Sequence, residues 1–148
     1  MLKTYDMSVE VQGFSHQFVH FAELLRNHPD TNFCLVHGGM LTSDDEATVE
    51  AWKEGLEHLV PHKNLWIKCS GLNFFTAKCD IDHMRIVLDH VLGRFGADRC
   101  FYGSNFPLEK LWARYDDLVA ACKDILASRS EAEQHAFFHD TAAGFYRI

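Results

Sequence analysis

Four short apolar segments alternate with amphipathic helical patterns along the chain, and this alternation restricts the fold more than any other feature. The segments end at Gln12, His37, Ser70 and Asn105, so successive ends lie 25, 33 and 35 residues apart. Strict alternation of strand and helix is typical of a parallel sheet covered by helices, because parallel strands need a crossover connection. We therefore predict an α/β fold. The predicted strands cover residues 8–12, 32–37, 64–70 and 99–105.

The strand spacing fits a (β/α) barrel, but the chain is too short for a complete one. An eight-stranded barrel of roughly 250 residues uses about 31 residues for each β/α unit. The 148 residues carry only four such units. This leaves two architectures open, half of a barrel or a small open α/β sheet. Because no linker or low-complexity segment interrupts the pattern, we predict a single domain over residues 1–148.

The helical segments carry recognisable start signals. Ser43 followed by Glu46, and Ser130 followed by Glu133, predict two capping boxes, in which the side chains of the first and fourth residues satisfy free backbone amides. Apolar residues recur at helical spacing after each of them. The predicted helices beyond the second strand cover residues 44–60, 81–95, 112–126 and 130–146.

Charge and cysteine usage exclude several classes of function. The formal net charge is −7 and the 14 Lys and Arg residues form no run, so we expect neither nucleic acid nor an anionic membrane as a partner. We expect no signal peptide and no membrane span, since no stretch of about 18 apolar residues occurs. Five cysteines without a CxxC pair predict reduced thiols in the core of a cytoplasmic protein.

The alternation of side chains within the strands separates a core face from a polar face. Glu10 and Gln12 share one face of the first strand, and Lys68 and Ser70 share the corresponding face of the third. A buried lysine without a partner is costly, so we expect Lys68 to pair with Glu10. Such a pair is either a structural ion pair or part of a binding site.

Histidines supply the candidate metal and proton-transfer groups. His37 ends the second strand directly before two glycines, and a neutral imidazole there could bind a metal or transfer a proton. The alternative is a histidine that is only hydrogen-bonded at a strand end. Three further pairs have i, i+4 spacing but no HExxH pattern or third ligand, so we expect surface histidines at His16/His20, His58/His62 and His135/His139.

Several fragments together, in this order, resemble one family. "SVEVQGF", "HPDTNFCLVHGGM", "NLWIKCSGL", "FGADRCFYGSNFP" and "TAAGFYRI" are similar to the second half of an amidohydrolase-related protein, in the group that includes sugar lactonases and the pyrone dicarboxylate lactonase. The resemblance covers nearly the whole chain. It implies a TIM-barrel hydrolase of which strands five to eight are present, followed by C-terminal helices, while the first half, with the family's His-x-His pair, is missing.

The resemblance also implies a site and a reaction. Water attacks the carbonyl of a cyclic ester or amide of a small molecule, with His37 and Asn105 as the catalytic residues. The substrate-binding residues are then Glu10, Gln12, Lys68 and Ser70. The family can use a divalent metal such as zinc, and His37 is the candidate ligand here, but this chain alone does not imply a cofactor.

Asn105 departs from the family pattern, which is Gly-Ser-Asp-x-Pro at the end of strand eight. The chain reads "GSNFP" at residues 103–107. An amide can orient water or a carbonyl, but it cannot act as a general base. We therefore expect another group to supply the base, or the chemistry to be altered or lost.

Two alternatives belong to other functional classes. A non-catalytic half-barrel would expose two strand edges and an apolar flank. It would then assemble with itself as a homo-oligomer or with a missing N-terminal half. A flavodoxin-like binding domain is disfavoured because no phosphate-binding loop follows any strand.

Overall fold

A computed structural model describes residues 3–148 and contains one parallel four-stranded sheet. The strands lie in sequence order, so each crossover leads to the next position in the sheet. In register, Glu10 lies opposite Cys34, Cys34 opposite Trp66, and Lys68 opposite Phe101. The α/β prediction is confirmed. The strands are β1 (Val9–Val11), β2 (Phe33–Leu35), β3 (Leu65–Cys69) and β4 (Cys100–Tyr102).

The strands are shorter than predicted because the chain turns away directly after each one. Gln12, His37, Ser70 and Asn105 consequently lie beyond the last paired residues, in the connecting segments. His37 and Asn105 have φ angles of 59° and 54°, which belong to the left-handed region and cannot continue a strand.

Helices connect the strands and follow the last one. No helix in the described part of the chain is long and apolar enough to cross a membrane. A π-helical turn, Ala136–Asp140, lies between the last two helices. The helices are α1 (Phe18–Asn27), α2 (Glu46–Glu57), α3 (Ile81–Phe95), α4 (Tyr115–Ile125), α5 (Glu131–His135) and α6 (Thr141–Tyr146).

One of the two predicted capping boxes is correct. Ser130 Oγ accepts a hydrogen bond from the Glu133 amide, and Glu133 Oε2 accepts one from the Ser130 amide. The box at Ser43 is wrong, because Asp45 is the N-cap of α2 and accepts from the Thr48 amide at 2.9 Å. A carboxylate at the helix N-terminus gains from the helix dipole as well as from the hydrogen bond.

The main core lies between the helices and one face of the sheet. The side chains of Leu65, Ile67 and Cys69 are fully buried there, as the alternation in the third strand predicts. Trp52 and Leu56 of α2 pack into the same core. All five cysteines are free thiols; four are buried and Cys79 is half-buried.

The C-terminal stretch covers part of the opposite face. Phe137 belongs to the main core, whereas Phe145 packs with Cys34, Val36 and Phe101 on the other side of the sheet. The stretch therefore passes beside β4 from one face to the other. Phe145 thereby covers Cys34, Val36 and Phe101 on this face.

The last residues also contact the segment that leads into the first strand. Arg147 Nη1 donates to Ser8 Oγ at 3.1 Å, and Arg147 Nε lies 3.1 Å from Asp6 Oδ2. We call Phe145, Tyr146 and Arg147 the C-terminal clasp. The clasp connects β4 with β1, which are the two outermost strands of the sheet.

Candidate active site

All six residues that the sequence analysis named line one open groove on the polar face of the sheet. Because the carboxyl ends of parallel strands meet at one edge, residues from four different strands converge there. The six are Glu10, Gln12, His37, Lys68, Ser70 and Asn105.

A more enclosed cavity continues from this groove at the strand ends. The cavity has a volume of about 140 Å³ and shares Gln12, His37 and Asn105 with the groove. Its walls are largely apolar and include two half-exposed aromatic side chains, Phe74 and Phe75. A mainly apolar cavity with a few convergent polar groups is the usual form of a small-molecule site.

His37 is oriented by the third strand. Its Nδ1 lies 3.1 Å from the carbonyl oxygen of Ser70 and 3.1 Å from Ser70 Oγ. A carbonyl oxygen can only accept, so this contact places the proton on Nδ1 and leaves a lone pair on Nε2. Ser70, which we expect to bind substrate, is buried, lines the groove and contacts His37.

Gly71 allows His37 and Asn105 to approach each other, and the sequence analysis did not identify it. Gly71 has a φ of 59°, and a Cβ there would lie 2.6 Å from His37 Nδ1 and 2.9 Å from Asn105 Nδ2. Any side chain at this position would displace both groups. Its place directly after a predicted strand was the available signal.

Glu109 connects the loop that carries Gly71 with the loop that carries Asn105, and no sequence pattern indicated this role. Its carboxylate is buried and accepts hydrogen bonds from the Asn73 amide at 3.2 Å and from Trp112 Nε1. The Glu109 amide donates to the carbonyl oxygen of Asn105 at 3.2 Å. Glu109 therefore fixes the loop after β3 against the loop after β4.

Glu10 and Lys68 form the expected pair and share a third partner, Tyr146. Lys68 Nζ lies 3.0 Å from Glu10 Oε1 and 2.9 Å from Tyr146 Oη, which in turn donates to Glu10 Oε1. Burial raises the pKa of Glu10, but the hydrogen bonds from Tyr146 and Lys68 outweigh it and lower this pKa overall. Burial and the hydrogen bond to Glu10 raise the pKa of Tyr146 to about 12. Lys68 is thus held by the clasp.

Replacing Glu10 by Gln is expected to reduce stability in a pH-dependent way. The lowered pKa of Glu10 means that its contribution is present above pH 4.5, the ordinary value, and is lost as the pH falls through the folded-state pKa. Because the Glu10 side chain is 41% exposed, the difference at pH 7 should stay below about 1 kcal/mol. Thermal unfolding of both proteins between pH 3 and pH 7 measures it. A difference that does not shrink as the pH falls, or that Glu23→Gln on the exposed side of α1 reproduces, would contradict this assignment.

The third of the predicted surface histidine pairs, His135/His139, lies beside an acidic side chain. His135 Nδ1 and His139 Nδ1 lie 2.7 and 2.9 Å from the Asp140 carboxylate, and all three side chains are exposed. Among the described residues this is the one group of three or more His, Cys, Asp or Glu side chains close enough to share a metal ion. It does not line the groove.

His37 is the one histidine among the strand-end residues that line the groove. Catalytic zinc sites typically have three protein ligands, and His37 is accompanied in the groove by the neutral amides of Gln12 and Asn105. Within residues 3–148 no triad of metal-binding side chains lies at the strand ends. The strand-end residues of the groove therefore supply one imidazole for a metal, that of His37.

Comparisons with known proteins show what this chain is similar to. A family model described as Amidohydrolase matches residues 1–148. The protein y4mH of Sinorhizobium fredii is 34% identical over 142 residues, which are 96% of this chain and 48% of that protein. The L-fucono-1,5-lactonase of Burkholderia multivorans is 27% identical over 158 residues, covering 99% of this chain and 53% of the lactonase. The chain thus spans about half the length of these curated relatives.

Solved structures also match nearly the whole of this chain over about half of their own length. A crystal structure of an amidohydrolase from Burkholderia multivorans with bound zinc has a TM-score of 0.91 and 26% identity, covering 99% of this chain and 55% of that one. A probable 2-pyrone-4,6-dicarboxylic acid hydrolase from Acinetobacter baumannii has a TM-score of 0.80 at 18% identity, over 99% of this chain and 55% of that one. The second likeness is evidence for the fold alone.

Proposed function

Because the chain belongs to the amidohydrolase family, we propose that it forms the C-terminal half of a TIM-barrel hydrolase that opens a cyclic ester, and we favour a sugar lactone as the substrate. The observation that carries the proposal is the convergence of His37, Asn105 and Gln12 at the ends of the parallel strands, where the groove meets the cavity. The name of the Burkholderia multivorans relative, a sugar lactonase, supports the substrate class. Phe74 and Phe75 offer aromatic surface for the apolar face of a sugar ring.

The reaction needs a carbonyl held in place and a water molecule directed at it. The amide groups of Asn105 and Gln12 can donate hydrogen bonds to the carbonyl oxygen, where negative charge develops as water adds. His37, with its proton fixed on Nδ1 by Ser70, presents Nε2 as an acceptor to the incoming water. A bound divalent metal would polarise the carbonyl or the water. Lys68 lies farther down the groove and is suited to a polar group of the substrate.

The test is lactone opening followed with a pH indicator. The chain is assayed alone and together with the N-terminal half of the lactonase from Burkholderia multivorans as a separate chain. L-fucono-1,5-lactone should be opened faster than the spontaneous rate in at least one arm. His37→Gln should remove the added rate, whereas His20→Gln on the exposed side of α1 should not. If neither the chain alone nor the mixture with the N-terminal half opens any sugar lactone faster than the spontaneous rate, the proposed function is refuted.

A second candidate function is a non-catalytic half-barrel that assembles with a second copy of this chain or with a separate N-terminal half. The favouring observation is that β1 has one strand neighbour, β2, within the described residues, and an unpaired strand edge is a template for pairing. Light scattering after size exclusion should then give at least twice 17.0 kDa. A stable monomer of 17.0 kDa that unfolds cooperatively would contradict it.

A further inference from the structure

A second histidine faces the same cavity and has an acidic partner. His83 lies in the first turn of α3, is only 1% exposed, and lines the cavity together with His37 and Asn105. Its Nδ1 lies 2.5 Å from Asp44 Oδ1, in the segment that precedes α2. The two residues are 39 positions apart in the chain, so the fold brings them together.

The partner determines which ring nitrogen is available. An ionised carboxylate can only accept, so the contact with Asp44 places a proton on His83 Nδ1. Nε2 then carries the lone pair when the ring is neutral, and no hydrogen bond engages it within residues 3–148. His83 is among the residues that line the cavity, whereas Asp44 is not.

We propose that His83 and Asp44 form the proton-accepting pair of this site, in the place of the base that Asn105 cannot provide. This inference rests on the proposed function. His83 Nε2 takes a proton from water while the water oxygen bonds to the lactone carbonyl carbon. The ring carbon–oxygen bond then breaks, and the imidazolium returns its proton to the departing oxygen. The sum is the addition of one water molecule, which yields a hydroxy acid.

The charge of the group that contacts Nδ1 favours His83 over His37 in this role. His37 Nδ1 contacts the uncharged carbonyl and hydroxyl oxygens of Ser70, whereas His83 Nδ1 contacts a carboxylate. An imidazolium beside a carboxylate is stabilised by the opposite charge, and hydrogen bonds between charged groups are stronger than neutral ones. Asp80, a second acidic residue near His83, accepts a hydrogen bond from the His83 amide through Oδ1 and pairs with Lys78 through Oδ2, so Asp80 is already engaged.

A purely structural role is the competing explanation, since the pair also ties α3 to the segment before α2. The first measurement is therefore spectroscopic and does not depend on activity. Nitrogen-15 spectra of the histidine-labelled protein, recorded at a pH where the His83 ring is neutral, should show the ring proton on Nδ1 and none on Nε2. The Nε2 signal should shift when L-fucono-1,5-lactam, which is not hydrolysed, is added. A proton on Nε2, or an Nε2 signal that the lactam leaves unchanged at millimolar concentration, would overturn the proposal.

The second measurement is kinetic. His83→Gln and Asp44→Asn are each expected to lower kcat for lactone opening by about 10²- to 10⁴-fold with KM changed by less than roughly threefold, while His58→Gln at the exposed end of α2 leaves both unchanged. Equal activity of His83→Gln and the unaltered chain overturns the proposal. If the unaltered chain opens no lactone, the proposed function fails by itself, and the tautomer and the lactam response still decide whether the pair accepts protons in this cavity.

Discussion

Asn105→Asp is expected to lower kcat/KM for lactone opening by about 10²-fold or more. The amide of Asn105 can donate a hydrogen bond to the oxygen on which negative charge develops, and loss of one such donor typically costs 10²- to 10³-fold. A carboxylate there would donate nothing and would oppose the developing charge. Asp tolerates the left-handed backbone of this position (φ 54°) about as well as Asn, so the kinetic effect should not come from misfolding.

Asn105→Gly is the matched control, since it removes the amide, adds no charge and fits the same backbone conformation. It should lose less activity than Asn105→Asp. If kcat/KM for lactone opening instead rises by 10²- to 10⁴-fold in Asn105→Asp, a base was missing at position 105. That outcome would contradict the hydrogen-bond donor role of Asn105 and would remove the need for His83 as a base.

Trp52→Ala is expected to have the largest effect on stability. Trp52 of α2 is 1% exposed and is among the largest fully buried side chains in the core, and its Nε1 donates to the carbonyl oxygen of Gly38 at 3.1 Å. Removing a buried tryptophan typically costs 3 to 5 kcal/mol. For a chain of this length the melting temperature should fall by roughly 10 °C. Urea and thermal unfolding measure the change.

Trp52→Phe separates packing from the hydrogen bond. It keeps most of the buried area but leaves the Gly38 carbonyl without its partner, which should cost about 1 to 3 kcal/mol. Gly38 follows His37, so both variants should also disturb the candidate site. Val19→Ala, on the half-exposed side of α1, should stay within about 0.5 kcal/mol. A Trp52→Ala protein as stable as the unaltered chain would show that this part of the core is assigned wrongly.

Local patterns were sufficient to predict the order of elements and the faces of the strands. The alternation at Leu65, Ile67 and Cys69 predicted the buried side, and the spacing of strand ends predicted where Gln12, His37 and Asn105 converge. These features depend on side chains that are neighbours along the chain or on a rule common to all parallel sheets.

Features that depend on contacts distant in sequence could not be predicted in the same way. Glu109 contacts Asn73 across 36 positions, and His83 contacts Asp44 across 39. No periodicity connects such residues. The error at the start of α2 has a different cause, since Ser43 and Asp45 both satisfy the sequence preference for an N-cap and only the backbone geometry selects Asp45.

The C-terminal clasp has a kinetic consequence. Arg147 and Ser8 are separated by 139 positions, so their contact closes nearly the longest loop that this chain can form, and the entropy of that closure must be lost before the contact stabilises anything. Contacts of this kind raise the contact order. If the clasp forms after the folding transition state, weakening it accelerates unfolding more than it slows folding, and these last residues then help to determine how long the folded chain persists.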